Sequence, residues 1–176
     1  IAAAAAEVER AHGRLYILIN NAGILLDDPA LKPSQQTEET WRRTFDTNLF
    51  GLIAVTQAFL PLLHRSEAGR IVNVSSILGS ITLHADPASS IYGSKLPAYN
   101  VSKSAVNAWT VQLAHELRNS RIKVNTLHPG YVRTDIHGGN GAMDIPDGAR
   151  TSVRLALIGE DGPQGGYFHL DSRLPW

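Results

Sequence analysis

The sequence predicts an α/β fold, a doubly wound parallel sheet with helices on both faces. Three observations predict it. Short apolar runs of strand length alternate with longer helical stretches along the chain. The runs are continuously apolar, as parallel strands covered on both faces require. The polar side chains able to do chemistry stand at the carboxyl ends of those runs, where open sheets of this type bind ligands.

The elements follow in order. Residues 1–12 read as a helix by propensity, stopped by Gly13. The chain opens inside this helix, with no Met and no cap ahead of it, which reads as a cut sequence. Leu15 to Ile19 is a strand, expected to be buried on both faces, followed by Asn20-Asn21-Ala22-Gly23. Residues 24–36, with Pro29 and Pro33, form a loop. Thr37 is the N-cap of a long helix, and Glu38 and Glu39 sit in its first turn, where carboxylates suit the helix dipole. Trp41, Phe45, Leu49, Leu52, Val55 and Phe59 give it one apolar stripe, with a bend expected near Pro61.

Ile71 to Val74 is the second strand and ends in Ser75-Ser76. Residues 79–98 are rich in Gly, Ser and Pro and read as a long irregular, functional loop. A second long helix is expected from Tyr99 to Asn119, with Ala105, Trp109, Leu113 and Leu117 as its apolar stripe. Ile122 to Leu127 is the third strand, closed by Pro129-Gly130. A glycine-rich, mobile segment over 135–148, a helix to about Ile158 and a fourth strand, Gly166 to Leu170, complete the chain.

Composition bounds the function. The 176 residues are 43% apolar and 18% charged, with a formal net charge of zero. They suit one domain, 1–176, with a core of its own. Neutral balance argues against nucleic acid or a membrane surface as partner. The absence of cysteine excludes disulfides and thiolate metal sites, and the seven histidines form no ligating pair, so no metal is expected. No apolar run approaches the roughly 18 residues that span a bilayer. Ile1–Ala6 lacks the basic region of a signal peptide, so the expected location is the cytoplasm.

Tyr99-Asn100-Val101-Ser102-Lys103 is the sharpest local signal. Residues four apart share a helix face, and an ammonium there favours the phenolate, lowering the tyrosine pKa from about 10. A tyrosine so tuned can give and take a proton. Ser76, at the end of the preceding strand, could hydrogen-bond a substrate oxygen beside the Tyr99 hydroxyl, although turn or cap duty is the commoner use of serine. Asn48 lies mid-helix, a poor place for asparagine unless its side chain serves a neighbouring loop or a site.

These motifs, in this order and together with Gly51 and with Thr134 after Pro129-Gly130, resemble the short-chain dehydrogenase/reductase superfamily over nearly the whole chain. The resemblance implies a Rossmann-like fold and transfer of hydride between NAD or NADP and a small carbonyl or alcohol substrate. It implies that Tyr99 is the general acid/base and that Lys103 lowers its pKa and holds the nicotinamide ribose. Ser76 polarises the carbonyl, and Asn48 anchors a water chain to Lys103. Asn20, Asn21, Ala22 and Gly23 shape the cofactor cleft, while Pro129, Gly130, Val132 and Thr134 line the nicotinamide side. It also implies a homodimer or homotetramer built through helices 37–64 and 99–119.

The chain departs from the family pattern in three places. The glycine-rich phosphate loop is not among these residues. The family comparison implies roughly 70 further residues and about three strands, so the expected domain is the C-terminal portion of the fold, with about four strands and with Leu15 to Ile19 left as an unpaired apolar edge that invites association. The residues that would choose NAD or NADP are likewise not in this chain. Gly138-Gly139-Asn140-Gly141 reads instead as part of a substrate loop. The stretch from Ser76 to Tyr99 is long and contains Tyr92-Gly93-Ser94-Lys95, whose three-residue spacing fits the pattern worse than Tyr99 to Lys103. Tyr16 stands where members often carry Asp. Two other functions fit the residues: an ester hydrolase using Ser76, and a non-catalytic assembly subunit. Leu83, Ile91, Leu96, Ile136 and Met143 suggest a partly apolar substrate wall.

Overall fold

Five strands lie side by side in chain order: β1 (Ile17–Asn20), β2 (Arg70–Val74), β3 (Lys123–Leu127), β4 (Tyr167–His169) and β5 (Ser172–Arg173). They come from a computed structural model that describes all 176 residues. The first four are parallel, in the register Ile17↔Arg70↔Lys123. β5, unforeseen in the sequence, turns back antiparallel on β4. Two exposed polar residues carry no periodicity, and the turn depends on Leu170 at φ 47.

The helices are α1 (Ala2–His12), α2 (Glu38–Phe45), α3 (Leu52–His64), α4 (Ile81–Ala85), α5 (Pro97–Glu116) and α6 (Ile145–Ala156). Strand pleat sorts their partners. On one face Ile71 and Val124 meet Leu63, Leu113, Ala114 and Leu117. On the other Val72, Val74 and Leu127 meet Leu155 and Ala156 of α6. Side chains such as Leu63 and Val124, both 0% exposed, each contribute about 1.5–3 kcal/mol by leaving water. This is the expected doubly wound, Rossmann-like arrangement.

Thr37 caps α2, its hydroxyl accepting from Thr40 N at 3.1 Å. Residues 38–64 are continuously helical, but Asp46–Gly51 has π-helical geometry. The irregularity thus falls at Asn48, while Pro61 lies inside α3. By length and composition this 27-residue helix could cross a membrane, contrary to the expectation that no run would qualify. Here Leu52, Leu62 and Leu63 are buried.

β1 pairs only with β2 and is the expected apolar edge, and it is not buried on both faces: Ile17 and Ile19 are exposed. Beside it, Tyr16 lies under the Arg14 guanidinium. In α5 the buried face runs through Tyr99, Ser102, Lys103, Val106, Thr110 and Leu113. Ala105 and Trp109 are only half-buried. Polar side chains occupy much of the buried face, while Leu113 and Leu117 of the expected stripe are buried in the core and Trp109 packs against it. Those polar groups join a network across the sheet. Asn20 Nδ2 donates to Asn73 Oδ1 and Thr56 Oγ1, Asn73 Nδ2 donates to Thr110 Oγ1, and Thr126 Oγ1 donates to the Asn73 carbonyl. Buried polar groups are tolerated when paired in this way.

Candidate active site

The carboxyl ends of β1, β2 and β3 open toward the start of α5. Leu96 is the N-cap of that helix and Pro97 its first residue, so α5 begins two residues before the expected Tyr99. No side chain nearby in sequence caps it. The cap comes from Asp27, whose Oδ1 accepts from Ala98 N at 2.8 Å and whose Oδ2 accepts from Tyr99 N at 3.0 Å. Tyr99 is thereby held at the helix entrance, buried, with its side chain beside that of Ser76.

Ser76 ends the β2 arm and caps a short 3₁₀ turn over Ile77–Gly79, its hydroxyl accepting from Leu78 N at 3.2 Å. Its carbonyl oxygen accepts from Gly79 N at 2.8 Å and from the Tyr167 hydroxyl. Tyr167 is fully buried and stacks on Trp176.

Lys103 lies one turn beyond Tyr99. Nζ donates to the Val74 carbonyl at 2.9 Å and stands 5.7 Å from the Tyr99 ring centroid. Asn48 is fully buried and ties two elements to the loop after β1. Its Oδ1 accepts from Ile24 N at 2.8 Å, and its Nδ2 donates to Ile24 O at 2.9 Å and to Ser102 Oγ at 3.0 Å. The loop passes so close that a Cβ on Gly23 would stand 3.3 Å from Lys103 Nζ and 3.6 Å from Asn48 Oδ1.

The electrostatics correct one expectation. Tyr99 is not lowered; burial pushes its phenol above the usual tyrosine range, against a smaller opposing effect of the Ser76 hydrogen bond. Loss of water disfavours the phenolate more than its surroundings favour it. The same burial lowers Lys103 to about 8.

The other expected positions divide. Asn20 is buried in the network beneath the sheet end, whereas Asn21 and Ala22 are exposed and Gly23 meets Lys103. Gly130 takes φ 101, and a side chain there would run into the Met143 sulfur. Val132 is buried, bridges Met143 and packs its side chain against Gly148. Pro129 and Thr134 are half-buried. Of the suggested apolar wall, Ile91 is buried, while Leu83, Leu96, Ile136 and Met143 are half-exposed. Tyr92 and Lys95 lie apart, in an exposed turn: Lys95 Nζ sits over the Tyr92 ring and contacts His84.

Sequence reasoning missed Asp27, Tyr167 and the Asn73–Thr110 pair. A helix opened by Leu96-Pro97 with no polar side chain to cap it signals a cap from elsewhere, but not which residue supplies it.

Comparison with known proteins places this geometry. The family model of the short chain dehydrogenases matches residues 1–144. The chain is 43% identical over 164 residues to the short-chain dehydrogenase anuI of Penicillium roqueforti, covering 90% of this chain and 64% of that protein. It thus spans somewhat under two thirds of that relative's length. Carbonyl reductase Sniffer of Drosophila melanogaster superposes with a TM-score of 0.84 at 30% identity, over 99% of this chain and 73% of that one. The NADPH-bound carbonyl reductase from chicken fatty liver superposes with a TM-score of 0.83 at 28% identity, over 99% and 72%. This chain belongs to the short-chain dehydrogenase/reductase family.

Proposed function

We propose that the protein is an NAD(P)-dependent oxidoreductase acting on a small carbonyl or alcohol, in which Tyr99 transfers the proton. The observation that carries the reading is the buried Tyr99 side chain at the entrance of α5, beside Ser76, with the Lys103 ammonium one helical turn away and 5.7 Å from its ring centroid. A phenol raised by burial is protonated at neutral pH and is poised to donate to a carbonyl oxygen. The Ser76 hydroxyl holds that oxygen beside the phenol. In the oxidation direction Tyr99 must first lose its proton, so higher pH favours that direction.

The chain's own groups fit a nicotinamide nucleotide at this cleft. Lys103 has three N–H donors and one acceptor within the chain, Val74 O, which leaves donors for ribose hydroxyls. Gly23 lets the backbone approach that ammonium. The Tyr99 hydroxyl and the backbone from Gly130 to Thr134 complete the contact surface. The bound nicotinamide would supply or accept the hydride. The chicken liver relative's NADPH supports a nicotinamide nucleotide in general, either NAD or NADP.

The hydrolase reading takes the Tyr99/Lys103 pair as base for Ser76, and the absence of a G-x-S-x-G elbow around Ser76 counts against it. Self-association through residues 37–64 and 99–119 belongs to the proposal, since Phe50, Val101 and Val111 are exposed there.

The test is turnover of a ketone panel with NADH and NADPH by the full chain and by Tyr99→Phe. The variant should fold, bind nucleotide and lose about 10²- to 10⁴-fold in kcat. Retention of most of the turnover would overturn the role of Tyr99.

A further inference from the structure

The first turn of α5 leaves only two backbone donors to satisfy. Pro97 has no N–H, and Asn100 N donates to Leu96 O at 2.8 Å. The amides of Ala98 and Tyr99 remain, and one carboxylate takes both, at 2.8 and 3.0 Å. That carboxylate, Asp27, is 5% exposed and forms no ion pair, so its charge rests on the positive end of a 20-residue helix. It lies 71 and 72 residues before the amides that it holds. It also lies on the loop that Asn48 clamps at Ile24 and that Gly23 brings against Lys103.

We propose that Asp27 is a positioning residue for Tyr99, fixing the phenol against Ser76 by pinning the backbone from which it projects. The inference rests on the proposed role of Tyr99. An uncapped helix terminus frays, and Tyr99 is the third residue of this helix. A single acceptor would steady one amide, but a bidentate carboxylate fixes both and so fixes the direction in which the Tyr99 side chain leaves the helix. Proton transfer is sensitive to such placement, and a 1 Å error costs about 10²-fold. Asp27 also makes the loop after β1, the Asn48 helix and the start of α5 a single unit.

The experiment compares the full chain with Asp27→Asn, Asp27→Ala and Tyr99→Phe in three readouts: amide exchange at residues 98 and 99, ionisation of ¹³C-labelled Tyr99, and kcat against KM. With Asp27→Ala, exchange at those amides should rise about tenfold, as expected for a lost cap. The Tyr99 titration should move, and kcat should fall about 10- to 100-fold with little change in KM. Asp27→Asn should be intermediate, because its amide offers one oxygen to two donors, and it carries the test if the alanine variant does not fold. A variant with a lower Tm but an unchanged Tyr99 titration and unchanged kcat per folded molecule would make Asp27 a helix cap only and overturn the inference. If Tyr99→Phe keeps its turnover, the proposed function fails, while exchange and titration still decide whether Asp27 positions Tyr99.

Discussion

Lys103 Nζ donates to the carbonyl oxygen of Val74 at 2.9 Å, joining α5 to the end of β2 through an ammonium only 3% exposed. Burial lowers this lysine from 10.5 to about 8. Between those values the unfolded chain holds a proton that the folded chain has released. Stability therefore rises with pH from about 8 to about 10.5, by an amount on the order of 3 kcal/mol. Tyr99, raised by burial, opposes this only above about 10. Urea unfolding at pH 7.5, 8.5 and 9.5 should show the rise, and Lys103→Met should abolish it. A variant with the same slope as the parent would assign the effect to another group.

His128 shows the same physics on the acid side. Burial, with smaller contributions from His169 and His137, lowers it from 6.5 to about 3. Its Nδ1 has no partner, and its ring stands 4.8 Å from that of His169. Below about 6.5 the unfolded chain takes up a proton that the folded chain refuses, so stability falls toward pH 3. His128→Phe keeps the ring contact and removes the titration. Its acid unfolding midpoint should lie at lower pH than that of the parent, measured by circular dichroism.

Tyr167 holds Ser76 from β4. Its hydroxyl is one of two donors to the Ser76 carbonyl, the other being Gly79 N. Removing it in Tyr167→Phe leaves that oxygen satisfied, so the loss should be about 1 kcal/mol rather than the larger penalty of an orphaned group. Thermal unfolding measures it. A loss of several kcal/mol would mean that the hydroxyl serves more than Ser76.

Gly130 combines a left-handed backbone with a close approach to Met143. Gly130→Ala should destabilise the chain by about 1–3 kcal/mol. Adding Met143→Ala should restore the part due to collision but not the part due to φ 101. Complete restoration would show that backbone strain contributes nothing.

Much of the fold was legible because it is local. The Thr37 cap, the stop at Gly13 and the strands at 70–74 and 123–127 follow from propensity and periodicity. What periodicity misread was the facing of elements. The apolar run of β1 by itself fits a strand buried on both faces, and only its place at the edge of the sheet leaves Ile17 and Ile19 exposed. In α5 the buried face carries Ser102, Lys103 and Thr110, and a rule that seeks apolar stripes passes over them.

The sequence by itself determined the order of elements, the placement of Asn20 and Ser76 at strand ends and of Tyr99 near a helix start, and the one-turn spacing of Tyr99 and Lys103. Each of these depends on residues close together in the chain. Only the tertiary structure decided that Asp27 caps α5 from 71 residues away, that Tyr167 steadies Ser76, and that burial raises rather than lowers Tyr99. Desolvation and long-range hydrogen bonds depend on which distant segments pack together, and the spacing of residues along the chain does not encode that.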